Sequence, residues 1–216
     1  MSRSGPMFLI KVCGVTSAAD AGLAAESGAD AVGVNFFRGS RRHVSPEAAG
    51  AIVRAVREGG ATPVGVFVDE RPEVIGAVCR DLGIDVVQLS GNEPPDEAAR
   101  LPFRRIKAFR VARGIDAEAL DLYPCEALLL DAGGPGEFGG TGRTLDWAGI
   151  AGSRLRKPWL LAGGLTPENV RTAIRLARPG GVDVASGVED EPGRKNAAKI
   201  RLFIKNALEG FDIERN

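Results

Sequence analysis

This chain of 216 residues is short of the side chains that most metal and redox chemistry needs. It has three cysteines, Cys13, Cys79 and Cys125, and one histidine, His43. An odd cysteine count with no Cys-x-x-Cys spacing argues against a disulfide framework and a zinc cluster, and a lone histidine leaves a transition-metal site short of ligands. The thiols are read as reduced, and a metal-dependent mechanism is not expected. Long hydrophobic runs are missing too: no apolar stretch approaches the roughly 18 residues that span a bilayer, and residues 1–6 lack the apolar core of a signal peptide. There is no excess of charge of one sign, because 28 Lys and Arg balance 28 Asp and Glu. That balance removes any general attraction to nucleic acid or to an anionic membrane, so any anion is bound locally. The protein is expected to be soluble and cytoplasmic, and the sequence is compatible with a monomer or a homodimer. The length suits one core and not two. The expected organisation is an extension over 1–6, one catalytic domain over 7–209 and a tail over 210–216.

What the chain does contain is a repeated alternation. Short apolar runs begin near Phe8, Ala31, Pro63, Asp85, Arg104, Glu126, Pro158 and Gly181, and helix-like stretches follow them. Unbroken apolar runs suit parallel strands covered on both faces, and eight such units predict a single (βα)8 TIM barrel. A doubly wound open sheet shares the alternation, but its glycine fingerprint after the first strand is absent. Ser45-Pro46 and Thr166-Pro167 each read as an N-cap followed by proline at the first helical position. From about Lys195 to Leu208 the apolar residues Ile200, Phe203, Ile204, Ala207 and Leu208 share one face, as in an outer helix. The helices after the fourth and fifth strands are less well defined, with Pro94, Pro95 and Pro102 crowding the first and Gly114 opening the second.

The polar residues that call for explanation stand just after the apolar runs, where such barrels carry their chemistry. Cys13 ends the first run. Free cysteine is often simple packing, but Lys11 lies two residues earlier on the same strand face, where an ammonium could lower the thiol pKa. Lys11 could equally form a buried ion pair with Asp183 of the last strand. Asp131 ends the run Ala127-Leu128-Leu129-Leu130, where a charge is costly unless it serves a site or a partner. The glycine-rich residues 132–142 then read as a lid or backbone cradle. Gly163 and Gly164 after the seventh strand, with Ser186 and Gly187 after the eighth, suit the phosphate site that barrels often build there. Arg38, Arg41, Arg42 and His43 form a basic run that reads as a solvated rim, unless one guanidinium turns inward to pair with a substrate carboxylate.

Several ordered motifs coincide with one family: Lys11-Val12-Cys13-Gly14, Ser40-Arg41-Arg42-His43-Val44-Ser45-Pro46, Gly65-Val66-Phe67-Val68, Gln88-Leu89-Ser90-Gly91, Gly139-Gly140-Thr141-Gly142 and Gly187-Val188-Glu189. Leu145-Asp146-Trp147, Leu161-Ala162-Gly163-Gly164-Leu165 and Val182-Asp183-Val184 extend the match, which runs from about Phe8 to Leu208. The chain resembles phosphoribosylanthranilate isomerases of tryptophan biosynthesis. The resemblance implies a cofactor-free (βα)8 barrel. It implies the Amadori rearrangement of N-(5-phosphoribosyl)anthranilate to 1-(2-carboxyphenylamino)-1-deoxyribulose 5-phosphate. By motif position the general base falls on Cys13 and the general acid on Asp131. The anthranilate-carboxylate ligand falls on Arg42, and the phosphate loops on Gly163, Gly164, Ser186 and Gly187. Asp183, with Lys11, is placed at the substrate.

That chemistry asks for an acid whose pKa is raised by burial and a base whose pKa is lowered. Three positions depart from the family pattern. Ser40-Arg41-Arg42 replaces Ser-Pro-Arg, so Arg41 competes with Arg42 for the carboxylate. Ser90 stands where histidine is usual, and Ala185 where serine is common. Among other phosphosugar barrels, a pentose-phosphate epimerase needs metal-binding histidines that this chain lacks. Indole-glycerol-phosphate synthase needs more acidic and lysine groups at the strand ends. A non-catalytic phosphate-binding barrel would have no use for both Cys13 and Asp131.

Overall fold

Eight parallel strands close into a barrel in the order of the chain in a computed structural model, which describes residues 7–111, 116–131, 147, 150 and 155–215. The strands are β1 (Ile10–Cys13), β2 (Ala31–Asn35), β3 (Thr62–Phe67), β4 (Val86–Leu89), β5 (Arg104–Arg110), β6 (Ala127–Asp131), β7 (Trp159–Leu161) and β8 (Gly181–Val184). Each starts within two residues of its expected position. The described helices are α1 (Ala18–Glu26), α2 (Pro46–Glu58), α3 (Pro72–Leu82), α4 (Pro95–Ala99), α5 (Ala117–Leu122), α6 (Val170–Ala177) and α7 (Ala197–Arg215). The expected extension over 1–6 and the glycine-rich stretch over 132–142 lie outside the described residues. No described helix is long and apolar enough to cross a membrane.

Side-chain alternation along each strand separates two apolar layers. Ala31, Val64, Val86, Ile106, Ala127, Leu129 and Leu160 fill the barrel interior. Ile10, Val12, Val32, Val34, Val87, Leu128, Leu130, Val182 and Val184 point outward and pack under the helices. Residues of one parity therefore look inward, and the last inward residue of each strand emerges at the C-terminal rim. In β6 the interior residues Ala127 and Leu129 set that parity and Asp131 ends it. In β1, Lys11 and Cys13 pair in register with the inward positions Ala31 and Gly33 of β2.

Helix α2 begins as its sequence predicts, with the Ser45 hydroxyl accepting from the Ala48 amide and Ala49, Ile52, Val53 and Val56 buried. Thr166-Pro167 does not start α6. Residues 167–169 form a turn, and the helix runs from Val170. Asn169 intervenes: its Oδ1 accepts from the Thr166 amide and its Nδ2 donates to the Gly164 carbonyl, each at 2.8 Å. Helix α7 extends past its expected end to Arg215, so residues 210–215 of the expected tail are helical, and Phe211 is buried against the core. Leu208, assigned to its apolar face, is 42% exposed, because Ile204, Ala207 and Phe211 already complete the buried stripe. The proline-crowded α4 and the nearby α5 are the short helices, at five and six residues. After β8 comes a 3-10 turn (Ser186–Val188), then a two-stranded hairpin, β9 (Glu189–Glu191) and β10 (Arg194–Lys195).

Candidate active site

At the C-terminal rim the inward side chains surround one open cavity of about 970 Å³, its mouth included. Cys13 from β1, Asp131 from β6 and Asp183 from β8 line it, together with Arg42, Ser90, Gly163, Gly164 and Ser186. The wall mixes apolar surface with a few polar groups, as small-molecule sites do. Among the described residues no group of three or more His, Cys, Asp or Glu is arranged to hold a metal ion.

Lys11 lies beneath this cavity. It is fully buried, and its Nζ donates to Asp183 Oδ1 at 2.7 Å across the β1–β8 pairing. Of its two readings the buried ion pair is the one observed: Lys11 grips Asp183, which faces the cavity. Burial works against its charge, but Asp183 and Cys13 together outweigh burial and hold the ammonium above its usual range. A Cβ on Gly33 would fall 2.7 Å from Cys13 Sγ and 3.2 Å from Lys11 Nζ. The bare backbone there is what lets the thiol and the ammonium stand side by side.

The thiol itself is nearly buried, at 9% exposed. Burial pushes its pKa up, Lys11 pulls it down, Asp183 raises it again, and Lys195 lowers it a little; the net direction is up. The expectation that Lys11 leaves the thiol below its ordinary value is therefore corrected. The ammonium is in place, but its charge is shared with the Asp183 carboxylate, and desolvation outweighs what remains. Asp131 is half-buried on the cavity wall, opposite Arg110 in the β5–β6 register.

Of the basic run, Arg42 stands on the cavity wall, while Arg38 and Arg41 are exposed. Its Nε donates to Glu189 Oε1 at 2.8 Å and its Nη2 to Glu189 Oε2 at 2.6 Å. This bidentate pair raises the Arg42 pKa, against a smaller opposing effect of burial. Gly14 makes the approach possible: it holds a φ of 74°, and a Cβ there would lie 2.4 Å from Arg42 Cδ. Both facts favour glycine at this position.

Beside β1 in the closed barrel, Gly163, Gly164 and Ser186 present the ends of β7 and β8 to the cavity. Gly187 stands one step behind the wall, where an added Cβ would fall 1.9 Å from the Leu165 carbonyl oxygen. Its bare Cα lets the two loops touch. Ser90, on the wall at the end of β4, accepts from Gln88 Nε2 at 3.0 Å.

Two buried residues went unidentified in the sequence. Glu189 is clasped by Arg42 and also accepts from Lys195 Nζ at 2.8 Å. The Lys195 side chain, fully buried, donates further to the carbonyls of Cys13 at 2.7 Å and Ala185 at 3.0 Å. Burial pulls its ammonium below the usual range, with Glu189 opposing. Glu189 ended a matched motif, but its partner is 147 positions away, and a lysine ahead of an amphipathic helix reads as an ordinary solvated charge.

The family model for N-(5'-phosphoribosyl)anthranilate (PRA) isomerase matches residues 10–206. A relative from Trichlorobacter lovleyi with that name is 44% identical over 210 residues, covering 95% of this chain and all of the relative. A crystal structure of phosphoribosyl anthranilate isomerase from Thermotoga maritima is 42% identical, covers 94% of this chain and all of its own, and superposes with a TM-score of 0.86. A crystal structure of the isomerase in complex with reduced 1-(o-carboxyphenylamino)-1-deoxyribulose 5-phosphate is 41% identical over the same shares, with a TM-score of 0.82.

Proposed function

The chain belongs to the N-(5'-phosphoribosyl)anthranilate isomerase family of tryptophan biosynthesis, and from that premise we propose that Cys13 and Asp131 carry the Amadori rearrangement as general base and general acid. The observation that carries this reading is the meeting of Cys13, Asp131, Arg42 and the glycine-bearing ends of β7 and β8 on one cavity wall. The phosphate of the substrate is held by the backbone of Gly163, Gly164 and Gly187 with the Ser186 hydroxyl. Its anthranilate carboxylate pairs with Arg42. The ribose then lies between the β1 and β6 ends.

Asp131, protonated, delivers its proton to the ring oxygen; the ring C–O bond breaks, and the anilino nitrogen lone pair forms the C=N bond of a protonated Schiff base. The C2' proton is thereby acidified and is removed by the Cys13 sulfur as base, not as nucleophile. The electron pair of the C2'–H bond forms the C=C bond of an enolamine, whose tautomerisation gives the ketose product. Because burial holds the free thiol pKa up, the positive charge developing on the Schiff base is what favours the thiolate at that moment. Asp183, held by Lys11, contributes a fixed acceptor for a substrate hydroxyl.

The test is turnover of phosphoribosylanthranilate generated in situ, followed by loss of anthranilate-type fluorescence, with a metal chelator present. Folded protein that does not turn the substrate over would overturn the assignment. Cys13→Ala and Asp131→Asn are each expected to lower kcat by at least about a hundredfold; a variant with unchanged kcat removes its residue from the role.

A further inference from the structure

The buried group formed by Arg42, Glu189 and Lys195 has a function that the acid–base scheme does not assign. Glu189 occupies the Nε/Nη2 edge of the guanidinium in bidentate fashion. Arg42 can therefore offer a ligand only its other, Nη1/Nη2 edge. Its stem is also packed, with Cδ against the bare Cα of Gly14. Glu189 is itself immobilised by Lys195 Nζ, with Gly193 donating its amide to the same Oε1 at 3.3 Å. Lys195 in turn holds the carbonyl of Cys13, the residue before Gly14. The contacts close a loop: Cys13, Gly14, Arg42, Glu189, Lys195 and back to Cys13. The hairpin that carries Glu189 and Lys195 is tied to the β1 side of the rim by Thr16 Oγ1 donating to the Gly193 carbonyl at 2.6 Å and by the Lys195 amide donating to Asp20 Oδ2 at 3.1 Å.

We infer that Glu189 and Lys195 are positioning residues that hold Arg42 at a set distance from Cys13, so that a carboxylate on its free edge brings the carbon to be deprotonated to the thiol. The inference rests on the proposed reading of Arg42 as carboxylate ligand and deepens it. The charges fit: two cations and one anion leave one positive charge, which a single substrate carboxylate balances. The closed loop also favours a rigid carboxylate, one fixed on an aromatic ring, over a flexible one.

The experiment compares binding of two probes, an N-aryl-aminodeoxyribitol phosphate with an ortho carboxylate on the ring and its decarboxylated analogue, to the wild type and to Glu189→Gln. In the wild type the carboxylated probe binds more tightly. In Glu189→Gln that preference is expected to fall by about tenfold or more, as for a buried charge pair that loses a partner, with the decarboxylated probe little changed. The sign is diagnostic, because the substitution adds net positive charge, and simple attraction would tighten the carboxylated probe. A preserved or increased preference overturns the inference, as does an equal loss for both probes, which would mark a merely structural role. Absence of the preference in the wild type would overturn the Arg42 reading itself, and the inference with it. Should Glu189→Gln not fold because Lys195 is left unpaired, the double variant Glu189→Gln/Lys195→Met removes both charges, and the same loss of preference is expected of it.

Discussion

Lys11→Met separates what burial does to the base from what its neighbour does. The positions of Sγ and Nζ about Gly33, 2.7 Å and 3.2 Å from one shared point, keep the two atoms within about 6 Å of each other. At that separation and an effective dielectric near 20, a unit pair interacts by roughly 3 kcal/mol, about a hundredfold in the thiolate population at fixed pH. The substitution removes that attraction and leaves Asp183 unbalanced beside the sulfur, which acts in the same direction. The thiolate of Cys13 should therefore form only at higher pH than in the wild type. The assay is the rate of alkylation by iodoacetamide against pH. Cys79 and Cys125 are replaced by alanine to leave one reporter; burial holds both thiols up, Cys79 to about 12. The loss of half a buried ion pair will cost about 3–5 kcal/mol of stability, so a denaturant titration fixes the folded fraction first. With folding confirmed, a rate–pH curve that stays in place or moves to lower pH would refute the reasoning, because it would mean that Lys11 does not act on the thiol.

Three further outcomes are expected. Arg42→Ala should raise KM far more than Arg41→Ala, since Arg42 is on the cavity wall and Arg41 is exposed; steady-state kinetics with the larger effect at Arg41 would reverse the assignment. Gly187→Ala must push the 3-10 turn away from the Leu165 carbonyl, which an added Cβ would approach to 1.9 Å; inhibition by inorganic phosphate should weaken, and unchanged inhibition would take phosphate away from these loops. The Glu189 carboxyl is pushed up by burial, but the stronger combined pull of Arg42 and Lys195 sets it below its ordinary 4.5. A carboxyl depressed in the folded state adds stability that is present above its unfolded pKa and lost as pH falls through its folded one. Urea midpoints should thus fall below about pH 4.5 in the wild type, and less steeply in Glu189→Gln; parallel curves would refute the linkage.

The strands, their order and the rim that carries the candidate site were legible in the sequence, because they rest on local patterns. A short apolar run repeated in alternation with helical stretches fits a buried strand, and parity within the run places its last polar residue, so Asp131 and Cys13 could be set at the rim. Ser45 as a helix cap was legible for the same reason. Local signals failed where a distant group competed. At Thr166-Pro167 the side chain of Asn169 bonds the loop and delays the helix, and at Leu208 Ile204, Ala207 and Phe211 already complete the buried stripe.

What the sequence determined by itself is the inventory at the barrel rim: a thiol and a carboxylate at strand ends, glycines in the last two loops and a basic run after β2. The tertiary structure alone decided how those groups affect one another. The Lys11 ammonium was correctly placed beside the thiol, yet its charge is claimed by Asp183, 172 positions away, and burial reverses the expected direction of the thiol pKa. Arg42 was separated from Arg41 by the pairing with Glu189, and Lys195 entered the site through three bonds that no spacing announces. Coulombic and desolvation energies depend on distance and burial in space, which closure of the barrel sets, and not on separation along the chain.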